Sequence, residues 1–187
     1  MKVVAIVGSP RPTGNTSVLV DQALEVISAA GIETEKILLG QRRIHPCMGH
    51  DDCQTIASCH MHDDITKIMP EFLNAGGVIL ASPVYFINVS AQMKMFIDRF
   101  RHPYRRQVKS SASQAGVISI AARNGANTVA VMLKDFLARA TNLAPSDMLS
   151  VHGCARNVGD AITDAELLEQ ARKLGRDMVQ GLRNRPH

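Results

Sequence analysis

The chain has 187 residues, of which 45% are hydrophobic and 20% charged, with a net charge of +4. This is enough for one full core, too short for two domains, and unlike a disordered chain. Basic residues gather only at Arg99–Arg106 and in the C-terminal tail, and aromatics are scarce, so nucleic acid is not an expected partner, whereas a phosphorylated ligand or an acidic redox partner is.

No apolar run reaches membrane-spanning length, and MKVVAIV enters a loop with no cleavage region. Neither a signal peptide nor a membrane partner is therefore expected. The four cysteines are then expected in a reducing compartment, the cytoplasm, where clustered thiols serve metal or redox chemistry more often than disulfides.

The first predicted strand is Val3–Val7. It delivers the chain into GSPRPTGNT, residues 8–16, and a helix is predicted over Asn15–Ala30. A loop between strand and helix aims backbone N–H groups and the positive end of the helix dipole at an anion. Ser9, Thr13, Thr16 and Ser17 add hydroxyls, Arg11 a planar charged fork, and Asn15 a cap for the helix. There is no GK[ST] ending and no G-x-G-x-x-G, so a terminal monophosphate suits the loop better than a polyphosphate. The competing reading is a capped helix after a tight turn.

A second strand, Glu33–Leu39, precedes an insertion, Gln41–Asp63, in which Cys47, His50, Cys53 and Cys59 follow C-x2-H-x2-C-x5-C. Asp63 and Asp64 open the next helix, Asp64–Asn74, where carboxylates offset the dipole. A third strand, Gly77–Ser82, runs into a loop containing Pro83, Val84, Tyr85 and Phe86. A planar ring could lie against that backbone, or the aromatic pair could plug the core beneath it. A helix follows over Val89–Phe100, with Met93, Met95 and Phe96 at packing spacing within the chain or at a subunit interface. The basic, Ser-rich segment Arg101–Gln114 is expected to be flexible or to meet a partner chain.

The last units are strand Ala115–Ala121, a turn with Arg123, Asn124 and Gly125, helix Gly125–Ala140, strand Met148–His152 and helix Asp164–Leu182. Cys154 is expected to be buried. Nearly continuous apolar strands alternating with helices predict a single α/β domain over 1–187. Its core is a doubly wound, five-stranded parallel sheet in the flavodoxin-like order 2-1-3-4-5, with helices on both faces. In such sheets ligands bind outside the carboxyl ends of the strands, here at the loops after strands one, three and four.

GSPRPTGNT together with SPVYFINVSAQMKMFIDR, residues 82–99, resembles the flavodoxin-like NAD(P)H-dependent FMN reductase family, and within it the iron–sulfur flavoprotein branch. The likeness extends to about residue 140, and the second block is its most specific part. The resemblance implies that Ser9, Arg11, Asn15, Thr16 and Ser17 hold the FMN phosphate. It implies that Pro83, Val84, Tyr85 and Phe86 line the isoalloxazine and that Ala121, Arg123 and Asn124 close its other side. NAD(P)H is the implied donor, and no catalytic side chain is implied, because the flavin carries the chemistry. Arg99–Arg106 then reads either as a solvated basic edge or as an attractor for the extra phosphate of NADPH. A homodimer or homotetramer is expected.

Iron–sulfur flavoproteins carry C-x2-C-x2-C-x(4–7)-C at the position of this insertion and bind a [4Fe-4S] cluster there. Here His50 stands where the second cysteine belongs. Four readings stay open: a cluster with one non-cysteine ligand, a zinc site with His60 or His62 as alternative ligands, a metal-free thiol loop, and coincidence. The expected function is reduction of a small acceptor such as flavin or quinone. The alternatives are an electron-transfer flavoprotein serving a redox protein, and a metal-stabilised binding module.

Overall fold

The computed structural model describes residues 1–184; the end of the basic C-terminal tail lies outside that range. Strands β1 (Lys2–Val7), β2 (Glu33–Leu38), β3 (Gly77–Pro83), β4 (Gln114–Ala121) and β5 (Leu149–Cys154) form one parallel sheet in the order β2-β1-β3-β4-β5. The chain steps outward from β1 to β2 and then crosses back to β3. The topological switch therefore falls between β1 and β3, the two strands that deliver the first and third loops.

Burial explains the strand sequences. In β1, β3 and β4 almost every residue is buried because helices cover both faces, so the apolar runs are continuous. Edge strand β2 is half exposed and carries Glu33, Glu35 and Lys36, which discourages pairing with another chain. On one face, α1 (Asn15–Ala29) and α7 (Ala165–Arg183) pack on Val3, Ala5, Val7 and Ile79. On the other, α2 (Ile65–Asn74), α3 (Ala91–Arg99) and α5 (Ala126–Ala140) cover Val4, Ile6, Leu80 and Val117. Four of the five phenylalanines, Phe72, Phe96, Phe100 and Phe136, meet mostly edge to face in this second layer. Met93 and Phe96 are fully buried there and Met95 packs against the same core. Met93 and Phe96 are core residues of their own chain, which removes the subunit-interface reading for these two, and Met95 is partly buried.

Helices α1 and α7 approach closely at Gly175, where an added Cβ would lie 2.6 Å from the Ala23 carbonyl oxygen. Alanine would gain about 1 kcal/mol of helix propensity, but the obstacle is backbone and cannot swing aside. Gly175→Ala is therefore expected to destabilise by about 1–3 kcal/mol, read from the urea midpoint. An unchanged or higher midpoint would show that the two helices can separate freely.

Arg101–Gln114 is not a loose connection. Its first part is a short helix, α4 (Arg101–Arg105). Farther on, Ser110 Oγ donates to the Phe72 carbonyl at 2.8 Å, Ser111 Oγ to Leu73 and Ala75 at 3.1 and 3.2 Å, and Ser113 Oγ to Gly76 at 3.3 Å. The serines satisfy carbonyls left open at the end of α2. A further short helix, α6 (Asp160–Thr163), precedes α7, whose N-cap Asp164 accepts from the Glu166 and Leu167 amides. No helix among the described residues is long and apolar enough to cross a membrane.

Candidate functional site

Four loops meet at the carboxyl end of the sheet, and hydrogen bonds join each to the next. Gly8 N donates to the Ala81 carbonyl at 2.7 Å, and Ser90 Oγ, which caps α3 by accepting from Met93 N, donates to the Gly8 carbonyl at 2.6 Å. Val84 N donates to Ile120 O at 2.8 Å, tying the third loop to β4. Ala155 N donates to Ala121 O at 2.8 Å and Cys154 Sγ to Arg123 O at 2.9 Å, tying β4 to the segment after β5. Asn15 closes the ring. Its side-chain amide donates to Ala155 and Asn157 carbonyls and accepts from Gly159 and Ala161 amides.

That use of Asn15 corrects its expected role. It is the first helical residue, the N-cap is Gly14, and no side chain caps α1. With its side chain spent on the β5–α6 segment, Asn15 has only its backbone N–H left for a ligand. The 155–161 segment is a fourth wall that sequence reasoning missed. The turn residues Asn157, Gly159 and Asp160 were the available signal.

The uncapped start of α1 excludes the capped-helix reading. The amides of Thr13, Asn15 and Thr16 find no acceptor among the described residues. Thr16 and Ser17 are buried, and Ser17 Oγ has no partner among the described residues. Ser9 is buried too, but its hydroxyl is engaged within the turn, with Arg11 N and O at 3.1 Å. Arg11 and Arg123 are exposed, and loops one, three and four contain no carboxylate. Open amides, an orphaned buried hydroxyl and uncompensated cations together fit a phosphate.

Ser17 gives opposite signs for two measurements. Removing a buried hydroxyl that lacks a partner leaves the ligand-free fold as stable or stabilises it slightly, whereas a lost phosphate contact costs about 1–1.5 kcal/mol. Ser17→Ala is expected to keep the apo melting temperature and weaken FMN binding about tenfold. A drop in apo stability with unchanged FMN affinity would reverse the assignment.

The third loop carries its aromatics at the surface. Tyr85 N donates to Asn88 O at 2.9 Å and Asn88 N back to Tyr85 O at 3.0 Å, closing a turn whose central residues, Phe86 (φ 50°) and Ile87 (φ 59°), are both left-handed. Asn-Gly normally fills such a turn; a bulky aromatic and a β-branched residue there store strain of about 1–3 kcal/mol each. Phe86 is fully exposed, with Tyr85 and Ile87 about half exposed, so the aromatic pair does not plug the core. Gly125 (φ +89°) starts α5 directly under this turn, and a Cβ there would sit 3.2 Å from Val84 Cγ1. Pro83 ends β3 beside Ile120, Ala121 is buried at the end of β4, and Asn124 is exposed in the turn after it. Loops one, three and four are thus contiguous, as expected. Cys154, expected in the core, is exposed at the same rim.

The cysteine insertion is a second constellation. Its ends are zipped together: Arg43 N and His45 N donate to the Asp64 and Asp63 carboxylates at 2.7 and 2.8 Å, and Asp64 N donates to Arg43 O at 3.0 Å. Asp63 also pairs with Arg99 at 2.5 Å, with both side chains essentially inaccessible. Arg99 donates further to His45 O at 3.0 Å and Met61 O at 3.3 Å and lies 3.7 Å from Cys59 Sγ. Burial works against the Asp63 charge, but Arg99 and the His45 and Ile65 amides outweigh it and hold the carboxyl below its usual range. Burial likewise opposes the charge on Arg99, and Asp63 with Cys59 raises its pKa regardless. The aspartates therefore do more than offset a dipole.

Helix α4 covers the insertion. Arg101 donates to His50 O, His102 Nε2 contacts Ile56 O, Arg105 donates to Gln54 Oε1 and Arg106 to Ile56 O. The basic run clamps this loop, while Arg105 and Arg106 stay exposed to solvent. Cys47, His50, Cys53 and Cys59 line one small, largely enclosed cavity with Arg99 and Arg101. His60 and His62 are not in its wall, and His60 Nε2 is bonded to Asp52 at 2.7 Å, so the structure does not bring these alternative zinc ligands together with the thiols. Among the described residues no three ligands converge on a single ion position.

Comparison with known proteins gives the family and the fold. Residues 1–155 match the family model of NADPH-dependent FMN reductases. An iron–sulfur flavoprotein of Methanocaldococcus jannaschii is 38% identical over 187 residues, covering 96% of each chain. One from Methanosarcina thermophila is 35% identical over 99 residues, 53% of this chain and 52% of that one. An NAD(P)H:quinone oxidoreductase from Methanothermobacter marburgensis has the same fold, with a TM-score of 0.76 at 18% identity over 100% of this chain and 98% of that one. With an FMN-reductase match over residues 1–155 and a relative 38% identical over nearly the whole chain, the chain belongs to the NADPH-dependent FMN reductase family and is an FMN-dependent oxidoreductase.

Proposed function

We propose a two-centre flavoenzyme, in which FMN on the rim loops is reduced by NAD(P)H and an iron–sulfur cluster in the cysteine cavity relays electrons to a small acceptor or redox protein. The observation that carries the second centre is the donor set of one cavity: three thiols and His50 beside two arginines with unpartnered N–H groups. The M. jannaschii relative, an iron–sulfur flavoprotein by name, supports it.

Ser9, Arg11, Thr16 and Ser17, with the amides at the start of α1, hold the phosphate. Pro83, Val84, Tyr85 and Phe86 support the ring, with Ala121, Arg123 and Asn124 on the other side. When bound, FMN supplies hydride acceptance and one- or two-electron release. The exposed turn at Tyr85–Ile87 keeps one approach open to a second planar molecule. Ser90 caps the start of α3 and Arg99 is its last residue, about 14 Å apart along the helix axis. Hydride transfer needs reacting atoms about 3–3.5 Å apart, so within one chain only electrons can pass between the two places. Assembly as a homodimer or homotetramer in the cytoplasm completes this reading.

A second reading, a single-centre reductase of flavin or quinone, is favoured by the exposed Tyr85–Phe86 rim, which suits a stacked planar acceptor. Anaerobic titration with NADH and NADPH tests the donor: flavin absorbance is expected to bleach with one of them and return on adding quinone. Flavin that stays oxidised with both, yet is reduced by a ferredoxin-like protein, would replace NAD(P)H by a protein donor.

A further inference from the structure

An arginine Nε–H is a charged donor with a fixed direction, and buried donors of this kind are left unpaired only where another species takes the bond. Four buried side-chain polar atoms among the described residues lack a partner, and two of them are Arg99 Nε and Arg101 Nε. Both residues belong to the wall of the cysteine cavity, on either side of Phe100 where α3 passes into α4.

Arg99 is fixed through its terminal nitrogens by Asp63, His45 O and Met61 O, and Arg101 donates to His50 O at 3.4 Å. The charges are unequally balanced. Asp63 answers Arg99 at 2.5 Å in full burial, whereas the carboxylate nearest Arg101, Asp51 at 3.7 Å, is fully exposed and screened by water. The cavity thus offers surplus positive charge and two oriented donors beside three sulfur ligands. An iron–sulfur cluster on thiolates is anionic, and its sulfurs accept hydrogen bonds that tune its potential.

We propose that Arg99 and Arg101 are positioning residues whose Nε–H groups donate to the sulfur atoms of the cluster held by Cys47, Cys53, Cys59 and His50, and that their charge raises its reduction potential. This rests on the cluster reading above. Reduction adds one negative charge, which a neighbouring cation stabilises more than it does the oxidised state. Losing the cation therefore shifts the equilibrium toward the oxidised cluster.

Arg101 is half exposed, so its variants are expected to fold, whereas Arg99 variants would also break the buried ion pair. The test is an EPR-monitored redox titration of the anaerobically purified, FMN-loaded chain as wild type, Arg101→Gln and Arg101→Lys, with iron and sulfide quantified in each. Arg101→Gln is expected to keep wild-type iron and sulfide and shift the one-electron equilibrium about tenfold, a midpoint about 59 mV lower, with the flavin potential unmoved. Arg101→Lys, which keeps the charge but not the Nε–H, is expected to fall between the two. A wild-type cluster potential in Arg101→Gln overturns the proposal, as does loss of iron from both variants, the mark of a merely structural residue. A wild-type chain that holds no iron or sulfide would instead remove the cluster reading itself.

Discussion

Asp63→Asn is expected to cost the folded state about 3–5 kcal/mol, because it leaves the Arg99 guanidinium buried without its counter-charge. The side chains of this pair are 0% and 1% exposed, so water cannot take over. Arg99→Met should cost a similar amount, since it strands the carboxylate. Replacing both, as Asp63→Leu with Arg99→Met, removes the charge problem together with the charges, and its cost should fall well short of the sum of the single costs. Urea midpoints of the four proteins check this; strict additivity would mean that the pair is not coupled.

The pair also sets a pH dependence. The carboxyl of Asp63 lies below its usual range in the folded state. Its contribution is therefore complete above the unfolded value of about 4 and is lost as pH falls through the lower folded value. The stability gap between wild type and Asp63→Asn is expected to be flat from about pH 5 to 8 and to narrow only below about pH 4.

Gly8→Ala should produce the second large effect, this time on the flavin. A Cβ at Gly8 would stand 2.7 Å from Met93 Cβ and 2.8 Å from Ser90 Oγ. Both neighbours are fully buried, so loop one must lift away from α3 and lose the Ser90–Gly8 bond. The expected cost is about 1–3 kcal/mol in stability. Because the same loop leads into the open amides of α1, FMN affinity should fall at least about tenfold, or about 1.4 kcal/mol, by fluorescence titration. Unchanged affinity would mean that the phosphate cradle is independent of the contact between loops one and three.

The sheet was legible because parallel strands buried on both faces must be apolar throughout, which VVAIV and GVILA display openly. Helix α4 was not, since it spans five residues and contains Pro103, below the length at which periodicity speaks. The site was legible as loops but not as contacts. Asn15 reads as a cap because Asn favours caps, yet its partners lie at residues 155–161, and no local pattern announces a bond across 140 positions. Arg99 reads as surface because arginines rarely bury. The signal that could have exposed it is its place three residues after Phe96 and six after Met93, on the buried stripe of α3. Ser17 sits likewise three residues before Val20, on the face of α1 turned inward. Polar residues on an apolar stripe were the clue in both cases.

The proposal places FMN on the rim loops and an iron–sulfur cluster beneath α4. A visible absorption spectrum of protein purified without oxygen, with FMN, iron, zinc and sulfide quantified on the same sample, tests it most directly. The expected result is flavin bands over broad additional absorption, with one FMN per chain and iron and sulfide in equal amounts. A colourless protein that cannot be reconstituted with FMN, or flavin bands with zinc in place of iron and sulfide, would contradict it.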